Sequence, residues 1–552
     1  MGIWTALALG LLCIFVYLRK VGSREAGLPP GPPTIPLLGN LHVFPTEFTH
    51  YKFTEWARKY GGIYSLKLGP GTAVVLTNAA AVKELMDKRS GSTVDRPAMH
   101  VVDRVTGGLN MGLARYNETW STLRRTAHAV LTPQASVRHL PIQQAEASQL
   151  LHDILHQPEA RPSHSVIPAS FVTDNQAFFT HIRRYSNSTI MSVIYGKRAP
   201  RYETPETIAF FNVQHEWDAI LEPGSTPPID LIPILKYVPE RWAKWKRDCA
   251  RTRKLQRELY FGLLDETKER LSKGDENGSY MEEVLTRQEE FGMDREITGY
   301  LGGVLIDGGS DTTSFYLQSL ILALAAYPDA QRKAHEEIDR VVGEHRMPTL
   351  DSLEEMPYIR AMIQETHRFR PIAPLMAPHC TVALEEYKGF VIPKGTTIYV
   401  NAWGIFHDPE LFDDPENFFP DRYLLTEHGT KPGVDGSDLR PTLPFGVGRR
   451  ICPGRHLAQH SINLNAMNLV WAFNFTADTD AGGNPIKLDT FDYERGILTG
   501  PRPFKCKITP RSKEKAEIIE RAFADAGDTF SKFEVGLSPE DKEFVAKSRV
   551  RI

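Results

Sequence analysis

The segment Pro444-Phe445-Gly446-Val447-Gly448-Arg449-Arg450-Ile451-Cys452-Pro453-Gly454 constrains this chain more than any other stretch. Two prolines and three glycines around one cysteine exclude a regular helix or strand there, and the glycines let the backbone wrap closely around something flat. The segment contains Phe-x-x-Gly-x-Arg-x-Cys-x-Gly. Five specified positions recur by chance in roughly one chain of this length in ten thousand, so the pattern needs a cause. A lone cysteine is ordinarily a small buried hydrophobe. Here backbone N–H groups can hydrogen-bond the sulfur, and Arg450 can pair an anionic group of a ligand.

Composition closes off other classes. The chain has 552 residues, 41% of them hydrophobic and 24% charged, which is globular. A net charge of −3 gives no basic field to attract nucleic acid. Its five cysteines have no paired spacing, which excludes a disulfide scaffold and a CxxC zinc site and fits a reducing compartment. There is no GxxxxGK[ST] loop, and His335-Glu336-Glu337-Ile338-Asp339 lacks the second histidine of a zinc site. Gly308-Gly309-Ser310-Asp311 lacks the closing glycine of a nucleophile elbow, and Ile451 stands where a dinucleotide fingerprint begun at Gly446 needs its third glycine.

A thiolate held by such a loop suits an axial ligand of haem iron, where its electron donation favours O–O cleavage. At this point the sequence resembles the cytochrome P450 family, the haem-thiolate monooxygenases. The resemblance implies a mainly α fold with a small β portion and haem b (iron protoporphyrin IX) ligated by Cys452. Phe445, Gly446, Arg450 and Gly454 would surround the cofactor.

Other segments carry the same resemblance, in family order from Leu28 to Phe504. Glu365-Thr366-His367-Arg368 is an i,i+3 ion pair, which alone is usually solvated surface. With Phe418-Phe419-Pro420-Asp421-Arg422-Tyr423 downstream, the resemblance implies a buried triad of Glu365, Arg368 and Arg422 that holds the loop before the cysteine. Glycines in Gly302-Gly303-Val304-Leu305-Ile306-Asp307-Gly308-Gly309-Ser310-Asp311-Thr312-Thr313 cost about 1 kcal/mol each in a helix, so they mark either a helix crossing or a kink that makes room for a ligand. In the family this helix crosses the distal haem face, with Thr312 bonding iron-bound oxygen and Asp311 relaying protons. Trp120-Ser121-Thr122-Leu123-Arg124 places Trp120 and Arg124 toward a haem propionate, and His379, after Pro378, is a further propionate candidate.

Along the chain, Gly2–Leu18 is free of charge and Arg19, Lys20 and Arg24 follow. This predicts an uncleaved signal-anchor over residues 1–18, spanning the endoplasmic reticulum membrane once with the body cytoplasmic. Residues 19–33 form a basic, proline-rich linker, 34–510 the haem-thiolate domain, and 511–552 a charged, partly helical extension. Ile63–Leu68 and Ala73–Leu76 flank Gly69-Pro70-Gly71 and predict a hairpin. In the extension Ile519, Phe523, Ala526, Phe530 and Phe533 make one apolar stripe, expected to pack on the chain's own domain, with membrane or partner contact as the alternative.

The expected activity is an NADPH- and O2-dependent hydroxylation of a small organic substrate. No flavin or nicotinamide site is visible, so NADPH and flavins enter only through a separate NADPH–cytochrome P450 reductase, with cytochrome b5 as a second candidate donor. A monomer is expected. Thr49–Trp56, Arg184–Ser188 and Gly224–Asp230 are similar to fungal secondary-metabolism members, among them the m-cresol and m-hydroxybenzyl-alcohol hydroxylases of patulin-type pathways. An aromatic or polyketide-derived substrate follows from that resemblance, with a terpenoid or fatty acid as the alternative. A haem-thiolate isomerase or dehydratase, and a non-enzymatic haem-binding protein, are rivals that Asp311 and Thr312 argue against. By family analogy Ile306, Ile372, Leu375, Met376, Ile497 and Leu498 form an apolar pocket wall.

Overall fold

The computed structural model describes residues 20–156, 177–222, 224–480 and 482–550. The predicted anchor, Gly2–Leu18, lies outside the described residues. Among those described, no helix is long and apolar enough to cross a membrane.

The proline-rich linker is docked rather than free. Ser65 donates its N–H to Pro30 at 2.8 Å and its hydroxyl to Pro29 at 2.6 Å, and Arg24 Nε reaches Ser65 Oγ at 2.9 Å. A Cβ on Gly31 would lie 2.1 Å from the Ser65 carbonyl oxygen, so only glycine permits this approach. Helix α1 (Thr49–Tyr60) follows, then the predicted hairpin, β1 (Ile63–Leu68) and β2 (Gly71–Leu76). These strands pair antiparallel, Ile63 opposite Leu76 and Leu68 opposite Gly71. Helices α2 (Glu118–Val130), α3 (Leu140–His156), α4 (Ala177–Tyr195), α5 (Pro205–Leu221) and α6 (Lys244–Ser272) come next. Asn117 caps α2 by accepting the Trp120 N–H at 2.8 Å, which satisfies one of the helix's orphan donors and sets its register.

The long central helix is α7 (Arg295–Ala326), capped by Asp294. It is buried nearly all round, as a helix apolar on every face must be. It ends where Tyr327 leaves the helical region before Pro328, which opens α8 (Pro328–Val341). Helix α9 (Pro357–Phe369) leads to β3 (His379–Cys380), the hairpin β4 (Glu385–Tyr387) and β5 (Phe390–Ile392), and β6 (Thr397–Val400). The main sheet runs β1-β2-β6-β3, with β6 parallel to β2 and β3 antiparallel to β6. After the cysteine loop come α10 (Arg455–Ala472), β7 (Phe473–Ala477) and its antiparallel partner β8 (Cys506–Pro510). The chain is mainly helical with a small β portion.

Two large apolar clusters meet on α7. Tyr300 to Ile306 pack with α4 and α6, and Tyr316 to Ala325 pack with α9 and α10. The extension folds as α11 (Lys513–Asp525), α12 (Gly527–Ser531) and α13 (Pro539–Val550). Its stripe is spent on these same clusters: Ile519 joins one, and Phe523, Ala526, Phe530 and Phe533 the other. Arg198 lies 3.5 Å over the Phe530 ring and donates to Glu534 at 2.6 Å.

Candidate active site

Cys452 sits on a loop that positive-φ glycines shape. Gly446 (φ 94°) and Gly448 (φ 55°) occupy conformations that L side chains rarely adopt, and a Cβ on Gly448 would lie 2.2 Å from the Met86 carbonyl. The loop closes through the Cys452 N–H, which donates to Phe445 O at 2.8 Å, and the Phe445 ring meets His367 edge-on. Burial pushes the Cys452 thiol up, while the Gly454 N–H and the charges of Arg124 and Arg455 pull it the other way.

The loop is braced by Glu365, Arg368 and Arg422. Glu365 accepts from Arg368 Nε at 2.7 Å and Nη2 at 2.9 Å, from Arg422 Nε at 3.2 Å, and from the Phe419 N–H at 2.8 Å. Arg368 also donates to the carbonyls of Phe406, Pro415 and Asn417, so one buried carboxylate organises the chain from 406 to 422.

Beside the loop lies a concentration of buried positive charge. Arg124 donates to the Ile451 carbonyl, and its Nε has no partner. Arg450 donates from Nε to Val94 O at 2.8 Å, stacks 4.1 Å over Trp120, and leaves Nη2 unpartnered. Arg96, which the sequence reading passed over, donates to Gly112, Ala377 and Pro378 carbonyls. Desolvation lowers these guanidiniums, Arg96 to about 9 and Arg124 and Arg450 to about 10, helped by the charges of Arg450 and Arg124 at Arg96, of Arg124 at Arg450 and of Arg455 at Arg124. The nearby carboxylate, Asp95, is already engaged by Arg115 at 2.6 and 2.9 Å. Buried cations without counter-charge are costly, so this arrangement suits an anionic ligand such as the two propionates of haem.

Trp120 and His379 differ in detail from the resemblance. The Trp120 indole N–H donates to Met111 O at 3.1 Å, so its visible contribution is the ring beneath Arg450. His379 Nδ1 pairs with the Thr93 carbonyl at 2.8 Å. A carbonyl only accepts, so that nitrogen carries the proton, and Nε2 can donate only in the imidazolium form. Burial and the Arg96 and Arg450 charges hold His379 well below the usual histidine range.

On α7 the glycines divide by role. A Cβ on Gly302 would lie 2.4 Å from Tyr195, on Gly303 2.2 Å from Tyr260, and on Gly309 2.5 Å from Ile190; these are helix crossings. Gly308, like Gly454, would meet nothing within 4 Å, so open space lies beside both. Thr312, one turn on from Gly308, donates its hydroxyl to the Gly308 carbonyl at 2.8 Å. Asp311 accepts from Gln214 Nε2 at 3.2 Å, while its buried Oδ1 has no partner.

Asp311 has acidic neighbours. Asp307, one turn earlier, accepts from the Tyr260 hydroxyl at 2.6 Å, and burial pushes it up to about 7. Asp218, one turn beyond Gln214 on α5, keeps exposed surface, and desolvation together with Asp311, Asp307 and Glu494 pushes it up to about 8. Arg183 on α4 supplies the opposing charge. Of the pocket candidates, Ile306 has no exposed surface and sits in the cluster with α4 and α6, and Met376 (φ 49°) is 7% exposed and packs into the sheet cluster. Ile372, whose carbonyl accepts the Thr499 N–H at 2.8 Å, together with Leu375, Ile497 and Leu498, keeps partial exposure.

The cytochrome P450 family model matches residues 29–508. This chain belongs to the cytochrome P450 family. Its relatives include a cytochrome P450 monooxygenase of Armillaria gallica, 44% identical over 532 residues covering 96% of this chain and 98% of that one. One from Arthrobotrys oligospora is 40% identical, covering 93% and 94%. The cytochrome P450 monooxygenase patH of Penicillium expansum is 37% identical, covering 94% and 96%. The protein is therefore a P450 monooxygenase, an oxidoreductase whose family carries thiolate-ligated haem. In this P450 the unspent guanidinium donors of Arg124 and Arg450, and the open sides of Gly308 and Gly454, fit that group.

Proposed function

We propose that this P450 hydroxylates a small, uncharged organic substrate in fungal secondary metabolism, taking electrons from NADPH through a separate reductase. Cys452 would hold haem iron, Arg96, Arg124 and Arg450 its propionates, and the bound haem would supply dioxygen activation. The observation that carries the reading is Asp311 beside Thr312: a buried carboxyl with one unpartnered oxygen, next to a hydroxyl on the open side of a glycine-opened helix. Gln214 fixes the carboxyl's other oxygen, so Asp311 Oδ1 is left to take up and pass a proton. Isomerase or dehydratase chemistry has no need of that relay.

Two features favour an aromatic or polyketide-derived substrate over a fatty acid. The partly exposed Ile372, Leu375, Ile497 and Leu498 suit burial of an apolar ring. Asp311, whose buried Oδ1 has no partner, can hydrogen-bond a substrate hydroxyl. Endoplasmic reticulum anchoring through Gly2–Leu18, a cytoplasmic body and a monomeric state belong to the same proposal.

The test is NADPH oxidation by the purified chain with a P450 reductase and O2, with products scored against phenolic aromatics, terpenes and fatty acids. Hydroxylated product from a phenolic aromatic, dependent on reductase and O2, supports the proposal. Turnover without either would overturn the monooxygenase reading. Turnover of terpenes or fatty acids alone would overturn only the substrate class.

A further inference from the structure

We propose that His152, His156 and Glu520 form a binding site for a divalent first-row transition cation, with zinc as its probe, that clasps the C-terminal extension to the body. His152 and His156 stand one turn apart on α3 and so share a face. Glu520 reaches them from α11 in the extension. One ligand atom from each lies within 4.8 Å of the other two, the only such group of three or more among the described residues. Glu520 addresses the imidazoles separately: Oε2 lies 3.5 Å from His152 Nε2, and Oε1 contacts His156 Nε2.

Two imidazoles and one carboxylate are a donor set that suits zinc, leaving a fourth position for water. The surroundings prepare it as well. His152 Nδ1, on the far side of the ring, lies 3.7 Å from Asp153 Oδ1, too long for a hydrogen bond, so that carboxylate acts on the imidazole through its charge. Asp153 is in turn held by Arg184 Nε at 3.2 Å. The His152 ring stacks on Phe523 with centroids 4.2 Å apart, so the extension itself sets its angle. His156 is half exposed and gives a cation access from solvent. A cation shared by α3 and α11 would add a polar tie to the burial of Ile519 and Phe523.

The test uses the full-length, haem-loaded chain, stripped of loose metal with a chelator and titrated with zinc chloride by calorimetry. Zinc retained after desalting is counted per chain. One zinc per chain is expected, with binding at least tenfold weaker in His156→Ala and in Glu520→Gln and unchanged in His42→Ala, which alters an exposed histidine elsewhere. Zinc should also slow amide exchange across Lys513–Asp525 in the unaltered chain and not in the two site variants. An unchanged reduced, CO-bound haem spectrum shows that a variant is folded. No retained zinc, or equal retention in all variants, would reduce the cluster to surface ion pairs and overturn the proposal.

Discussion

Replacing Glu365 by Gln tests the bracing of the cysteine loop. The side chain keeps its size but loses the charge that four donors share: two from Arg368, one from Arg422 and the Phe419 N–H. Glu365 and Arg368 have no exposed side-chain surface, and Arg422 has 4%. Two guanidiniums would then remain buried without their counter-ion. Breaking one side of a buried pair costs about 3–5 kcal/mol. At about 1.4 kcal/mol per decade, that lowers the folding equilibrium roughly a hundredfold or more. Urea denaturation followed by haem absorbance and by far-ultraviolet circular dichroism measures it. The haem signal should be lost at lower denaturant than the helical signal, because the stretch from 406 to 422 loosens first. A loss below about 1 kcal/mol would show that the carbonyls of Phe406, Pro415 and Asn417 suffice to hold Arg368 and would refute the reasoning.

The glycines of α7 give a paired prediction. Gly303→Ala drives a Cβ into the Tyr260 ring and should cost about 1–3 kcal/mol in thermal unfolding, while Gly308→Ala, with open space beside it, should be neutral or gain up to about 1 kcal/mol yet disturb ligand-induced spectral shifts. Asp307 is raised to about 7, so the folded state holds a proton that the unfolded chain releases near pH 4. Its favourable contribution is complete below about pH 4 and is lost as pH rises through 7. Asp307→Asn should therefore gain stability relative to the unaltered chain between pH 5 and pH 7.5, and an equal difference at both values would contradict the buried, protonated carboxyl. Thr312→Ala should leave the haem spectrum intact but lower product formed per NADPH several-fold, with peroxide rising in its place; unchanged coupling would remove Thr312 from proton handling.

What was legible in the sequence was what local spacing encodes. The Cys452 loop announces itself because glycine, proline and cysteine positions are adjacent in sequence, and the β1–β2 hairpin because Gly69-Pro70-Gly71 separates two short strand-like runs. The ends of the Glu365–Arg422 pairing were visible only as two separate motifs joined by resemblance. The rest depended on tertiary placement. Arg96 lies on a loop with no pattern of its own and becomes part of the cation group only when Cys452 folds beside it. Gln214 and Asp218 are an i,i+4 pair on α5, a spacing as common on solvated faces, and nothing local aims them at Asp311. The five glycines of α7 blur which of its faces packs on α4 and which is open. The stripe on α11 and α12 was visible, whereas its meeting with His152 needed the fold.

As the iron ligand, the Cys452 thiolate should leave a spectral signature. The most direct measurement is the difference spectrum of the reduced, CO-bound protein for the unaltered chain and for Cys452→Ser, with Cys249→Ser, Cys380→Ser and Cys506→Ser alongside. Thiolate donation shifts the Soret band to the red. The shifted band is expected in the unaltered chain and in the three control variants, and is expected to disappear in Cys452→Ser alone. A shifted band that survives in Cys452→Ser would rule out that ligation.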